Sequence, residues 1–291
     1  MAGPQPLTVS VVVPTHMRAH MLERVLAPLL DDPGCDELIV VVDGDGDGTM
    51  RLVKEMAERE PRLHGVRTDG AGDMAAREAG ARAAGGELLV FVDDDVVAEP
   101  GLVSGHARRH ERGDADLVLG YMPVAPARGR RPGDFGQRLY AREYEGRCAA
   151  YERDRDSVLR ELWGGNLSIR RDRCLRAPMA SPVFTERYHA DREFGIRLLK
   201  SGMRGAFERS LRAEHLHERD EAAFVRDARS QGAARVLVAQ LHPDVVTAPA
   251  PDEFERGLPG PAAALVRAGR RPGAREGASA VLGALVRLAG C

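Results

Sequence analysis

Two groups of carboxylates are set apart by where they fall in the chain. Asp43 closes the apolar run LIVVV, and Asp93, Asp94 and Asp95 close the run LLVFV. Three consecutive aspartates repel one another, and a buried strand has no folding use for them. At neighbouring strand ends they would converge on one sheet edge, where open α/β sheets bind their ligands. The simplest compensation is a divalent cation with oxygen ligands, serving a phosphate-bearing substrate. A further acid, Asp191, opens a helical stretch whose dipole favours the ionised, base-competent form, with Glu193 and Glu186 as rival bases nearby. His215 and His217 alternate along a strand and face opposite sides, so both cannot meet one metal, and His215 is preferred. Trp163, the only tryptophan, precedes Gly164-Gly165-Asn166. Its ring is suited either to stacking on a ligand or to packing, and Asn166 either to a substrate hydrogen bond or to holding its own turn.

Two other chemistries fail on spacing. In DGDGDGT, Gly44, Gly46 and Gly48 alternate instead of giving the GxGxxG of a dinucleotide site. The same turn begins like a calcium loop, but its twelfth position is Lys54 where a bidentate glutamate is needed, and a strand precedes it. A flexible turn placing Asp43 beside a nucleotide base is the better account. Arg128, Arg130 and Arg131 form a basic loop that reads as solvated.

The elements that must position these residues alternate in type. Apolar runs at Val9 to Val13, Leu38 to Val42 and Glu87 to Val92 are continuous, not alternating, and are separated by helical patterns at Met21 to Leu30, Met50 to Arg59 and Met74 to Ala84. That is the mark of a parallel sheet covered on both faces, with a short strand near His64 to Arg67. The second half is less regular: a strand at Asp116 to Met122, a helical stretch from Phe135 to Leu162, a strand after the paired glycines, a helix at Asp191 to Lys200, and short strands at Gly205 to Glu208 and Leu211 to His215. From Glu221 the chain is Ala- and Arg-rich and helical, broken by PAPDEFERGLPGP, and SAVLGALVRLAGC reads as a packing helix.

Composition bounds the function. The 291 residues carry 42 basic and 44 acidic side chains, a formal net charge of -2, which argues against a dedicated nucleic-acid binder. Lys54 and Lys200 are the only lysines, an arginine bias that reads as codon usage. Cys35, Cys148, Cys174 and Cys291 form no CxxC pair, so neither a disulfide framework nor a zinc knuckle is expected. No signal peptide and no apolar run long enough for a membrane span is visible, giving a cytoplasmic expectation in which peripheral membrane contact stays open.

These segments together resemble the inverting family 2 glycosyltransferases of the GT-A fold. VSVVVPTHMRAHML resembles the family's opening strand and PT-x-NR turn, LIVVVDGDGDGT its VVDDGSTDGT, and GDMAAREAGARAAGGELLVFVDDD its ARN-x-G helix and DxD strand. Weaker matches follow in GGNLSIRR, ADREFGIRLLKSG and AEHLH, so the likeness runs over residues 8 to 235. It implies a GT-A (Rossmann-like) α/β fold: a mixed, mostly parallel sheet flanked by helices, with C-terminal helices. The expected domains are 1–220, catalytic, split into a nucleotide-sugar half (1–115) and an acceptor half (116–220), and a helical extension at 221–291.

The resemblance also implies roles. Pro14, Thr15 and Asp43 would line the base and ribose of a nucleoside-diphosphate sugar, Arg77 would face the diphosphate, and Asp93 with Asp94 would complete the donor site. Asp95 would bind Mn²⁺ or Mg²⁺ with His215 completing the metal site, Asp191 would be the general base, and Trp163, Gly165 and Asn166 would meet a small-molecule or glycan acceptor. Three positions depart from the pattern: Met17 for the Asn of PT-x-NR, Glu78 for the Asn of ARN, and Ala190 for the first acid of the ED pair. The implied activity is metal-dependent, inverting transfer from a UDP-sugar. Its rivals are a sugar-phosphate nucleotidyltransferase, for which PTHMRAHM lacks the needed glycine-rich loop, and a non-catalytic nucleotide-sugar or calcium-binding module.

Overall fold

The computed structural model describes residues 6–124, 134–216, 221–248, 260–271, 273–274, 277 and 280–281. Arg128, Arg130, Arg131, His217 and most of the last apolar stretch lie outside them.

The first half runs β1 (Val9–Thr15), α1 (Ala19–Leu30), β2 (Glu37–Asp43), α2 (Thr49–Ala57), β3 (Leu63–Thr68), α3 (Asp73–Ala83) and β4 (Leu88–Val92). It continues through β5 (Val96–Ala98), α4 (Leu102–Glu111), β6 (Leu117–Tyr121), α5 (Asp134–Arg153), α6 (Ser157–Arg160), β7 (Asn166–Arg170), α7 (Arg171–Arg176), α8 (Ala190–Lys200) and β8 (Gly205–His215). The eight strands form one sheet in the order β3-β2-β1-β4-β7-β6-β8-β5. Pairing among β3, β2, β1 and β4 is parallel, as is β6 with β8, whereas β7 runs antiparallel to both of its neighbours. This is the mixed, mostly parallel α/β architecture expected.

The continuous valine and leucine runs are explained by two cores. Val11, Val40 and Val90 face one side of the sheet, against Leu22, Leu26 and Leu29 of α1. Val12, Val41 and Phe91 face the other, with Met74 of α3 and Phe194 of α8. A strand covered on both faces has no position left for a polar alternation.

The second half differs from expectation in detail. The single helix foreseen from Phe135 to Leu162 ends at Arg153 and resumes as the short α6. The two strands foreseen after Gly205 are one, β8, with a register shift against β6 between Gly120 and Tyr121. The helix α4 was not foreseen, because its inward face carries polar groups: His106 and His110 are both buried.

The chain divides into two compact units, residues 1–125 with 143–217, and residues 126–142 with 218–291. The second contains α9 (Glu221–Leu241) and α10 (Gly260–Gly269), with Ala234, Val238 and Ala263 among its buried residues.

Candidate active site

Strand direction brings the chemistry to one edge. The C-terminal ends of β1, β2 and β4 deliver Thr15, Asp43 and Asp93 to Asp95. Because β7 is reversed, its N-terminal end reaches the same edge, and with it the turn Gly164-Gly165. The Asp93 N–H donates to the Gly165 carbonyl at 3.1 Å, and Val92 pairs with Asn166.

On the β1–β2 side, Pro14 and Thr15 are buried in the sheet. Asp43 is buried, and its carboxylate accepts from the Thr68 hydroxyl at 2.6 Å and from the Ala71 and Gly72 N–H groups at 2.9 and 2.8 Å. It therefore fixes the loop between β3 and α3. Burial raises its pKa, but the hydrogen bonds from Thr68, Gly72 and Ala71 outweigh that and hold it below its ordinary value. The turn after Asp43 is locked rather than loose. Asp45 accepts from the Met50 N–H at 3.0 Å, and Asp47 from the Ala19 N–H at 3.0 Å. Met17, in the usual Asn position, has a left-handed backbone with φ 54, a conformation that asparagine tolerates and methionine resists.

At the centre lies Arg77, nearly fully buried. Its Nε donates to both oxygens of Asp73, at 3.1 and 3.0 Å, and its Nη2 pairs with Asp93. Its Nη1 is buried and has no hydrogen-bond partner among the described residues. Burial favours loss of the charge, but Asp73, Asp93 and Asp191 retain it. Asp73, which was missed, was readable as the residue one helical turn before Arg77. Glu78 is occupied elsewhere, accepting from Arg82 at 2.6 Å and from the Ala180 N–H at 3.2 Å.

Asp191 enters from the start of α8. Its Oδ2 accepts from the Gly164 N–H at 2.8 Å and its Oδ1 from the Arg192 N–H at 2.8 Å. Burial pushes its pKa above the ordinary aspartate value against those hydrogen bonds and the charge of Arg77. The two glycines leave room for neighbouring side chains. A Cβ on Gly165 would lie 2.8 Å from Asp93 Oδ2 and 2.6 Å from Met122 Sδ, and one on Gly164 would lie 3.2 Å from Asp191 Cβ. Asp93 and Asp191 thus flank two consecutive residues without side chains. Behind Asp191, Glu161 pairs with Arg192 and accepts from Arg147 at 2.6 Å, tying α8 to α5.

The remaining acids form a second group. Asp95 Oδ1 lies 3.5 Å from His215 Nε2, and β5 and β8 hold the two backbones together, with Val96 paired to His215 and the Leu216 N–H donating to the Asp95 carbonyl at 2.8 Å. Arg18 Nη1 sits 2.7 Å from Asp95 Oδ2 and 3.1 Å from Asp94 Oδ1. Burial would raise the Asp95 pKa, but His215 and Arg18 hold it well below the carboxylate range, whereas burial raises Asp94. Arg18 was part of the PTHMR turn but had been given no role. Among the described residues, no three His, Cys, Asp or Glu side chains gather as a complete metal cage. Asp95 and His215 still suit a divalent ion that takes its other ligands from substrate phosphates and water, which is the habit of Mg²⁺.

Of the acceptor-side residues, Trp163 is half-buried, edge-on to Tyr144 at 5.4 Å, with the Arg147 guanidinium 5.2 Å from its ring centre. Asn166 is fully buried; its Oδ1 meets His106 Nε2 at 2.9 Å and its Nδ2 donates to the Leu211 carbonyl at 3.0 Å. Its amide faces the interior, so the acceptor-contact reading of Asn166 gives way to a structural one.

With this geometry in place, the comparisons define the class. The family model Glycosyl transferase family 2 matches residues 10–174, more than half of the chain, and the protein belongs to that family. Among curated relatives, the dodecaprenyl-phosphate galacturonate synthase of Rhizobium johnstonii is 29% identical over 154 residues, covering 50% of this chain and 42% of that protein. The validoxylamine A glucosyltransferase of Streptomyces hygroscopicus subsp. jinggangensis is 35% identical over 119 residues, covering 38% and 28%. The chain thus spans less than half the length of these relatives. Two solved structures share the fold. The mannosyltransferase PcManGT from Pyrobaculum calidifontis in complex with GDP-Man and Mn²⁺ has a TM-score of 0.64 at 19% identity, covering 98% of this chain and 81% of that one. S. aureus TarS 1–349 in complex with UDP-GlcNAc has a TM-score of 0.59 at 16% identity, covering 90% and 70%. Among the described residues, no helix is long and apolar enough to cross a membrane.

Proposed function

We propose that this protein transfers a sugar from a nucleoside-diphosphate sugar, a UDP-sugar in the first instance, to an acceptor hydroxyl with inversion at the anomeric carbon. The observation that carries the reading is the pairing of Asp93 and Asp191 across Gly164-Gly165, with the buried Arg77 charge beside both. Asp191 takes the acceptor proton as the hydroxyl oxygen bonds to the anomeric carbon. The bond from that carbon to the diphosphate breaks on the opposite side, and the nucleoside diphosphate leaves with the electron pair. One base and one direct displacement invert the centre, by the geometric logic of inverting glycosidases. The raised pKa of Asp191 makes it a stronger base than an exposed aspartate.

Arg77 offers its unpartnered Nη1 to the donor diphosphate while its Nη2 orients Asp93 and its Nε is held by Asp73. Asp43, Pro14 and Thr15 form the base and ribose side, and Asp94 borders it. Asp95 and His215 would hold Mn²⁺ or Mg²⁺, which supplies Lewis-acid neutralisation of charge on the departing diphosphate. Mn²⁺ accompanies GDP-Man in the PcManGT structure, and that supports a divalent ion here. Trp163 and Gly165 lie towards the acceptor side, Trp163 as a packed wall. The catalytic domain is assigned to 1–220, with donor and acceptor halves meeting near residue 115, and the helical extension to 221–291. The acceptor is soluble or presented peripherally at a membrane in the cytoplasm.

The test is incubation with Mn²⁺ and a panel of nucleotide sugars, measuring nucleoside diphosphate released in the presence of acceptor. Release of pyrophosphate in a parallel incubation with a nucleoside triphosphate and a sugar 1-phosphate would instead establish a nucleotidyltransferase, and nucleotide-sugar binding without turnover a non-catalytic module.

A further inference from the structure

The acidic edge already contains a cation. Asp94 and Asp95 share Arg18, whose Nη1 bridges Asp94 Oδ1 at 3.1 Å and Asp95 Oδ2 at 2.7 Å. The guanidinium is not an incidental surface group. Its side chain is 35% exposed while the carboxylates it touches are 14% and 19% exposed, so the pair is shielded enough for its charge to count. Arg18 is carried on the residue before α1, where Asp47 accepts from the adjacent Ala19 N–H at 3.0 Å and Asp94 accepts from the His16 N–H at 3.4 Å. Both ends of the turn are therefore anchored. The carboxylate that Arg18 engages through Oδ2 is the one whose Oδ1 faces His215.

We propose that Arg18 is a resident counter-cation that competes with the divalent ion for Asp95 and makes metal binding depend on the donor. This rests on the assignment of Asp95 and His215 as the metal-holding pair. A divalent ion on Asp95 alone would stand beside a positive guanidinium on the same carboxylate, and like charges at that range oppose each other. A diphosphate brings the negative charge that lets both cations remain, one on each side of it. Metal and nucleoside diphosphate then bind with positive coupling, and the coupling is reciprocal.

The experiment is Mn²⁺ binding followed by electron paramagnetic resonance, with and without UDP or GDP, for the native protein, Arg18→Met and Arg18→Lys. Without nucleotide, Arg18→Met is expected to bind Mn²⁺ at least ~10-fold more tightly than the native protein, and Arg18→Lys, which keeps the charge, to stay near native. The nucleotide-induced gain in Mn²⁺ affinity should shrink in Arg18→Met by the same factor. Equal or weaker Mn²⁺ binding by a folded Arg18→Met would overturn the proposal, because Arg18 would then be orienting Asp95 rather than opposing the metal. Should Arg18→Met fail to fold, Arg18→Gln takes its place under the same criteria. If native protein and variants all bind the nucleotide but none binds Mn²⁺ with or without it, the metal assignment itself fails. If neither ligand binds, the donor reading fails.

Discussion

At the scale of single residues the proposed mechanism turns on Asp191, whose carboxylate is desolvated yet held by two backbone N–H groups. Replacing it with asparagine keeps the shape and one of the two accepted N–H bonds, since the amide nitrogen cannot accept, and removes the proton acceptor. Asp191→Asn is expected to retain nucleoside-diphosphate binding and to lose transfer by ~10²–10⁴-fold, measured as initial rates at saturating donor. Because the folded-state pKa is raised, ionised Asp191 is lost earlier on acidification than an ordinary aspartate would be. The acid limb of the native kcat profile should therefore lie above the usual aspartate range, and it should vanish in the residual activity of the variant. Near-native transfer by Asp191→Asn would move the base to another acid. Glu193 is a poor candidate, being buried and engaged by Arg197 Nε at 2.9 Å.

At the scale of elements, one turn and one helix bear on β7: the Gly164-Gly165 turn that leads into it and α4, which packs on it. Gly165→Ala would drive a Cβ against Asp93 Oδ2 and Met122 Sδ, at 2.8 and 2.6 Å before relaxation. Overpacking of this kind costs ~1–3 kcal/mol, so a lowered Tm is expected together with a fall in kcat that exceeds the change in KM for donor. A fall in Tm with unchanged kcat would separate the turn from the chemistry. The helix α4 is held to β7 by a buried polar cluster: Ser168 Oγ lies 2.8 Å from His106 Nδ1 and 2.9 Å from His110 Nε2, and His106 reaches on to Asn166. Burial pushes both histidines down to about 4, with His110 also opposed by Arg170 and Arg109, and with Asp32 and Asp116 acting the other way. The unfolded chain takes up protons below ~6.5 while the folded chain stays neutral to about 4, so stability is full above that window and falls as pH drops through it. Calorimetry at pH 7 and pH 5 should show a Tm loss that His106→Gln reduces by roughly half, since one of two such groups is removed. An acid-induced loss identical in native and variant would remove the histidines from the account.

That cluster also marks where the sequence stops being legible. The first half of the sheet could be read locally, because apolar runs ended by acids mark both the strand and the end that reaches the shared edge. Helix α4 could not, since its inward positions at His106 and His110 look polar and make sense only opposite Ser168 and Asn166, about 60 residues away. The sequence leaves Asn166 open between a substrate contact and a structural role, and its buried partners, His106 and the Leu211 carbonyl, come from distant parts of the chain. Arg18 stood in a quoted motif without a role because its partners lie far along the chain and meet it only when β1 and β4 pair. The departures are informative in the same way. Met17 occupies a backbone conformation suited to asparagine, so the turn is preserved although the residue that usually favours it is absent.

At the scale of the whole molecule, a net charge of -2 conceals a strongly uneven edge, where the carboxylates after β4 and at the start of α8 are balanced by Arg18 and Arg77. A ligand that binds only the folded state stabilises it by mass action, by ~2.7 kcal/mol at one hundred times its dissociation constant. The matching nucleoside diphosphate with Mn²⁺ should raise Tm by several degrees, and the non-matching ones by less, so a melting panel of UDP, GDP and other diphosphates identifies the donor base before any acceptor is known. No shift with any of them would dismiss the donor site.

The reversed course of β7 has one more consequence. Donor-side groups sit at or just after the ends of their strands, where the chain leaves the sheet, whereas Gly164-Gly165 sit just before β7, where the chain arrives, and Asp191 opens helix α8. On the proposed reading, leaving group and nucleophile are thus served by loops of opposite chain polarity that share no connecting segment. For a protein engineer this makes the edge a two-socket frame: the segment between Ser181 and His189, ahead of α8, is the one to vary for a different hydroxyl compound, while Gly164-Gly165 and the turns after β1, β2 and β4 stay as they are.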